Sequence, residues 1–177
     1  MAGSLIKITE TTVSSAVASV TLTGIDTTYN VYVVQYSKVF MDTDGAKNRI
    51  RFTVSGSADT SANYDRASIQ MYTNQSFYDS SSTNQTYIES LGLGTTQDKS
   101  DYGTLYLFNF SNSSEYSLIT REQIQTSSAS ETAGIMGGAV LTVNQATDGI
   151  QFFANTGNIS SGTFKLYGIV KWLDILW

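Results

Sequence analysis

The sequence predicts an all-β protein, a single-domain jelly roll or β-sandwich of about eight to ten strands. Apolar and polar residues alternate with period two along most of the chain, in segments rich in Val, Ile, Thr, Tyr and Phe. Turn-forming sequences separate these segments, and no window keeps the 3.6-residue period of a helix. A length of 177 residues fits one domain.

Ten strands are predicted in chain order from this alternation. The clearest is 49–54, where Ile50, Phe52 and Val54 face one side and arginine or threonine faces the other. Any helix is expected to be confined to a turn or two near 120–125 or 88–91. The predicted strands are 5–9, 17–23, 29–36, 49–54, 66–72, 105–110, 117–125, 139–144, 149–154 and 163–171.

The segment Asp42-Thr43-Asp44-Gly45 begins like a calcium-binding loop, with two carboxylates before a glycine. Ala46 then takes the third ligand position, and no glutamate follows at the twelfth. We therefore interpret the segment as a β-turn between two strands, in which Asp44-Gly45 provides the positive φ.

One domain is predicted over 1–177, with three special segments: an N-terminal arm at 1–12, a long ordered loop at 74–103 and an apolar C-terminal tail at 171–177. Structureless loops longer than about 15 residues are uncommon in compact domains, and four aromatic rings argue for order in the long one. Those rings form a candidate recognition loop of Phe77, Tyr78, Tyr87 and Tyr102. They fit ordinary cross-strand packing equally well.

The composition narrows the function. Ser, Thr, Asn and Gln make up 66 residues, whereas Asp, Glu, Lys and Arg are only 14% of the chain, with a net charge of −5. This negative balance disfavours nucleic acid and anionic membranes, which both attract basic surfaces. The absence of His and Cys removes Ser-His-Asp and Cys-His catalysis and the strong metal ligands. We expect no cofactor and no metal.

Carboxylate pairs remain the one route to hydrolysis. Asp98 lies near Asp101 in the sequence, and Glu115 lies near Glu122. Acidic residues in such Ser-rich segments are expected to be solvated, so we predict that the protein is not an enzyme.

Two apolar segments are candidate interfaces. The strand at 105–110 is apolar on both faces, and the last six residues hold five large apolar side chains. Such groups are buried in the protein's own core or against a neighbour. The absence of proline, which often protects sheet edges, favours the neighbour. The candidate interface residues are Leu105, Leu107, Phe108, Phe110, Trp172, Leu173, Ile175, Leu176 and Trp177.

Four features together resemble small jelly-roll virion proteins of tailed bacteriophages, notably those that infect marine bacteria and cyanobacteria. They are the opening Gly3-Ser4-Leu5-Ile6-Lys7-Ile8, the long Ser/Thr/Tyr-rich β-segments, Tyr64-Asp65-Arg66-Ala67 ahead of a strand, and the closing Gly162-Thr163-Phe164-Lys165-Leu166-Tyr167-Gly168-Ile169. The closing strand is the most specific of them. The segment 171–177 extends beyond the ending typical of the class.

This resemblance implies a non-enzymatic structural protein located in the virion and assembled in the host cytoplasm. The first expectation is a capsid decoration (cement) protein, a homotrimer bound to the major capsid protein or other virion proteins. The alternatives are a tail or fibre component that contacts a host receptor, and a carbohydrate-binding module. The resemblance implies no catalytic residues.

Overall fold

The computed structural model describes residues 4–73, 77–93, 99–126 and 131–170. These residues contain no helix, and so none that could span a membrane. They form thirteen strands: β1 (Leu5–Val13), β2 (Ser19–Thr23), β3 (Val31–Met41), β4 (Lys47–Val54), β5 (Ser57–Ala58), β6 (Tyr64–Tyr72), β7 (Tyr78–Gln85), β8 (Ile88–Gly92), β9 (Asp101–Phe108), β10 (Ser117–Thr126), β11 (Thr132–Leu141), β12 (Gly149–Ala154) and β13 (Ile159–Ile169).

The strands form two antiparallel sheets of unequal width. The larger sheet has eight strands in the order β1-β13-β3-β9-β10-β11-β6-β7. The smaller has the order β2-β12-β4-β5, and β8 also pairs with β4, at the end of β4 that β5 leaves free. The prediction of an all-β, single-domain sandwich is confirmed, with more strands than the eight to ten expected.

The segment 74–103 is not a long loop. Its described part contains β7, β8 and the start of β9, so this prediction is wrong. The reason is that β7 (YDSSSTNQ) lies at the edge of the larger sheet and has few apolar residues, so that no alternation marks it. The candidate recognition residues therefore lie on or beside different strands.

Two further expectations are corrected. Residues 5–13 form the edge strand β1, paired with β13, where an N-terminal arm was predicted. The two expected helical turns are also strands, because 120–125 lies within β10 and 88–91 within β8. The segment 120–125 contains Arg, Glu and Gln, which favour helices, but its pairing with β9 and β11 outweighs that local preference.

The turn at 42–45 connects β3 to β4, as predicted. Gly45 has a φ of 74°. The Asp42 carboxylate accepts hydrogen bonds from the backbone and side-chain nitrogens of Asn158, at 2.8 and 2.9 Å. Asp42 thus ties this turn to the residue before β13.

Alternating apolar side chains of both sheets meet in one core. Phe152 of β12 lies between two rings of the larger sheet, with centroid distances of 5.4 Å to Tyr36 and 4.9 Å to Phe164. Phe52 of β4 makes a similar contact with Phe110, at 4.5 Å. These aromatic contacts join the two sheets.

The core position Phe152 can be compared with its neighbour Phe153. Phe152 is fully buried, whereas Phe153 is partly buried on the opposite side of β12, against the guanidinium of Arg51. We expect Phe152→Ala to lower the free energy of unfolding by about 3–5 kcal/mol, and Phe153→Ala by about 1 kcal/mol. Urea denaturation measures both, and equal losses would contradict the described packing.

Candidate functional site

The most distinctive surface is the side of the eight-stranded sheet that points away from the smaller sheet, called here the outer face. Strand register aligns its residues in rows that cross the sheet. One complete row, read from β1 to β7, is Lys7, Tyr167, Val33, Tyr106, Thr120, Gly138, Ala67 and Ser81.

The outer face exposes large apolar side chains, and polar residues such as Lys165, Gln35 and Glu122 lie among them. Seven large apolar or aromatic side chains on it are each between 39% and 54% exposed. Soluble monomers rarely expose contiguous apolar patches larger than a few hundred Å². The outer face is therefore the strongest candidate for an interaction surface. The seven residues are Leu5, Ile69, Tyr102, Tyr106, Leu118, Ile124 and Met136.

The predicted interface on 105–110 is partly wrong. Leu105, Leu107 and Phe110 are buried in the core between the sheets, so they are not available to another molecule. Phe108 is partly buried on the outer face, in register with Leu118. The other candidates, Trp172, Leu173, Ile175, Leu176 and Trp177, lie outside the described residues.

The four candidate recognition residues do not form one cluster. Tyr102 lies on the outer face at β9, whereas Tyr78 lies on β7, four strands away, or about 19 Å at the usual strand spacing. Tyr87 packs instead under Arg49 of the smaller sheet, with 3.7 Å from the guanidinium carbon to the ring centroid. Phe77, just before β7, is strongly exposed.

Tyr78 instead contributes to a shallow recess at the β6–β7 edge. Its ring meets Tyr72 edge to face, with centroids 5.8 Å apart. The Tyr72 hydroxyl donates a hydrogen bond to Oε1 of Gln70, at 3.2 Å. Asp79, Ser80 and Glu131 complete the lining. The recess thus combines the rings of Tyr72 and Tyr78 with the side-chain amide of Gln70.

A second unusual feature is a buried polar cluster at one end of the sandwich. Asp101 at the start of β9 is fully buried, and Oδ2 accepts a hydrogen bond from Nδ2 of Asn48, at 3.3 Å. Oδ1 of Asp101 and Oδ1 of Asn48 have no hydrogen-bond partner. Desolvation raises the pKa of Asp101 to about 7, against the opposing effects of hydrogen bonds and of the Arg121 charge.

Inward-facing side chains of β10 make up the rest of this cluster and hold β8 in place. Arg121 donates to the backbone oxygen of Glu89, at 3.0 Å, and Gln125 donates to that of Gly92, at 3.1 Å. Both donors are buried. Burial also lowers the pKa of Arg121. The cluster is therefore a structural link between the larger sheet and β8.

The sequence did not indicate this cluster. Asp101 was expected to be solvated beside Asp98, but it is fully buried, and Asp98 lies outside the described residues. Glu115 and Glu122 are exposed. The alternation along 117–125 could have indicated it. Ser117 and Ile119 are buried, and Arg121, Gln123 and Gln125 follow at the same two-residue spacing, so they are expected on the same buried side.

The described residues hold no group of three or more acidic side chains placed to bind a metal ion. Comparison with protein families, with curated proteins and with solved structures gives no match to this chain. The outer face and the recess at the β6–β7 edge are therefore the two surfaces that bear on function.

The burial of Asp101 predicts an unusual pH dependence. Its pKa of about 7 in the folded protein exceeds the ordinary aspartate value of 3.8, so the folded state keeps a proton that the unfolded state loses. Between about pH 4 and 7, Asp101 therefore makes the free energy of unfolding fall, by a few kcal/mol, as the pH rises. Above pH 7 the contribution of Asp101 to the free energy of unfolding no longer changes with pH.

Asp101→Asn is the matched control, because the amide keeps the shape but does not titrate. Urea denaturation between pH 5 and pH 8 is expected to show a difference in stability between wild type and D101N that changes with pH. Parallel pH profiles would contradict a buried, titrating Asp101.

Proposed function

We propose that the protein is a non-enzymatic structural component of a virion, and specifically a capsid decoration protein that stabilises the phage head. The observation that carries this proposal is the outer face, whose seven exposed apolar or aromatic side chains suit it to contact with other protein. The resemblance of the sequence to small phage virion proteins supplies the biological setting.

The two sides of the sandwich differ in a way that suits this role. The outward side of the smaller sheet carries polar groups such as Ser19, Thr21, Arg51 and Gln151, whereas the outer face of the larger sheet exposes seven large apolar or aromatic side chains. In the proposed role the apolar side associates with copies of the chain, and the polar side contacts the major capsid protein or other virion proteins. A chain without His or Cys keeps these contacts independent of imidazole titration and thiol oxidation.

The proposal is tested on a virus whose genome encodes this chain, grown with and without an intact gene for it. Particles grown with the gene are expected to contain the chain at a fixed copy number, measured by mass spectrometry after gradient purification. Shells grown without it are expected to release their contents at a lower temperature. Purified particles that lack the chain would overturn the proposal, and a cryo-EM map that places it on the tail would replace the head role with a tail or fibre role.

The recess at the β6–β7 edge favours a second candidate, carbohydrate binding, either as a free module or within a receptor-contacting tail protein. Aromatic rings stack on the apolar face of a sugar, and the side-chain amide of Gln70 is suited to form hydrogen bonds with its hydroxyl groups. The recess offers both kinds of contact.

Carbohydrate binding predicts that Tyr78→Ala abolishes binding to glycans that the wild type retains on a glycan array. Tyr116→Ala is the matched control, because Tyr116 is similarly exposed but lies in the β9–β10 connection, away from the recess. A wild-type chain that binds no glycan would eliminate this candidate.

A further inference from the structure

The outer face carries a second row beside the complete row described above, at the end of the sheet where β13 ends. This row, called here the end row, is apolar on five neighbouring strands, from β13 to β11, and Asp65 of β6 follows it. Its most open side chain is Leu118, and the others are partly buried. The residues of the end row are Ile169, Val31, Phe108, Leu118 and Val140.

The C-terminal tail at 171–177 is attached directly to one end of this row. The last described residue, Val170, follows Ile169, and its backbone N–H donates a hydrogen bond to the oxygen of Ser4, at 3.2 Å. The tail sequence Lys-Trp-Leu-Asp-Ile-Leu-Trp has five large apolar side chains in seven residues. An apolar segment is therefore joined to an apolar row of the same copy.

The inner side of the sheet is already filled where the tail begins. Gly168 faces inward there, and the ring of Tyr29 packs directly against it. The same ring meets Tyr32, which is in register with Gly168, with centroids 5.6 Å apart. On this side only Ile6, at the sheet edge, is strongly exposed among the neighbouring described residues. The outer side thus offers the larger open apolar surface.

The length of the tail matches the length of the end row. An extended chain covers about 3.3 Å per residue, so seven residues reach about 23 Å. The strand β11 lies four strands from β13, or about 19 Å at the usual spacing. The tail can therefore cross from Ile169 to Val140. Asp65, which ends the apolar run, lies one strand farther, at about 24 Å.

The spacing of the tail residues also fits an apolar row. In an extended chain Leu173, Ile175 and Trp177 share one side, and Asp174 lies on the other. Three apolar side chains can thus face the sheet while the carboxylate stays in water, which avoids the cost of burying a charge.

We propose that the C-terminal tail docks across the end row of its own copy, from β13 towards β11, and contacts Phe108 and Leu118. The same copy is favoured because the tail begins one residue beyond Val170, so its effective concentration at the row is high, whereas a second copy has to be supplied from solution. Burial of the apolar side chains provides the free energy of docking.

This inference does not rest on the proposed function. Five of the seven exposed apolar or aromatic side chains of the outer face lie in rows nearer the other end of the sheet, so they stay open to another protein when the tail is docked. These five are Ile69, Tyr102, Tyr106, Ile124 and Met136.

Tryptophan fluorescence of the full chain tests the docking, because the two tryptophans of the sequence, Trp172 and Trp177, both lie in the tail. The folded wild type is expected to emit at shorter wavelength than the urea-unfolded chain and to be quenched less by acrylamide. A folded wild type with the emission and quenching of the unfolded chain would overturn the proposal.

Two lysine substitutions on β10 locate the docking site. Leu118 and Ile124 are 40% and 54% exposed on the same outward side, but six residues, or about 20 Å, apart. Leu118→Lys puts a charge into the end row and is expected to lose the short-wavelength emission and the protection from acrylamide. Ile124→Lys is the matched control and is expected to keep both, and circular dichroism is expected to show one fold for all. Equal emission from the two variants would overturn the proposal.

A cysteine pair tests whether the tail docks on its own copy, since the chain has no cysteine of its own. Ile175 lies five residues beyond Val170, or about 16 Å, and β10 lies three strands from β13, or about 14 Å. Leu118→Cys combined with Ile175→Cys is therefore expected to form a disulfide within one copy under mild oxidation. The product is a cross-linked single chain of 19.2 kDa that migrates faster on a non-reducing gel.

The control pair is Ile124→Cys with Ile175→Cys, which is expected to stay without a cross-link within the copy. A disulfide-linked dimer as the main product of the Leu118→Cys pair would place the tail on another copy and overturn the proposal. Cross-linking of both pairs to the same extent would also overturn it, because the tail would then have no fixed position on the outer face.

Discussion

The unequal width of the two sheets is the constraint on which the rest of the structure depends. Seven strand spacings of about 4.8 Å make the larger sheet about 34 Å wide, whereas the four-strand path of the smaller sheet spans about 14 Å. The smaller sheet therefore covers only part of the inner face of the larger one. The part of the inner face that the smaller sheet leaves uncovered must either be covered by other segments of the chain or carry polar side chains.

Both a covering segment and buried polar side chains are found at one end of the sandwich. There the chain passes from β7 of the larger sheet to β8, which pairs with β4. Ile88 enters the core, and Glu89 anchors β8 through ion pairs with Lys47, at 2.7 Å, and Arg49, at 2.6 Å. Beneath β8 the inward row of β10 changes from apolar to polar, which gives the backbone oxygens of β8 their donors. Buried polar groups are costly unless they are hydrogen-bonded, so this end tolerates few substitutions.

The sequence predicted the sandwich and ten of its strands, because alternation of apolar and polar residues marks a strand that has one buried and one exposed face. It did not predict β7, which lies at an edge and buries little, and it left 120–125 open between a strand and a helical turn, because the inward residues of β10 become polar there. Asp101 was unpredictable for a related reason. A single acidic residue between loop-like segments carries no local sign of burial, since its burial depends on Asn48 and Arg121, which are distant in sequence.

The two-sided apolar pattern of 105–110 shows how far the sequence argument reaches. A strand that is apolar on both faces must be buried on both sides. The sequence alone does not show which face is buried in the protein's own core and which is left for another molecule. In the structure Leu105 and Leu107 face the smaller sheet, while Tyr106 and Phe108 face outward. The excess apolar surface inferred from the sequence is therefore real, but it lies on the other side of the strand. Because Leu118 and Ile124 of β10 are exposed on the same face, the excess extends over at least two neighbouring strands.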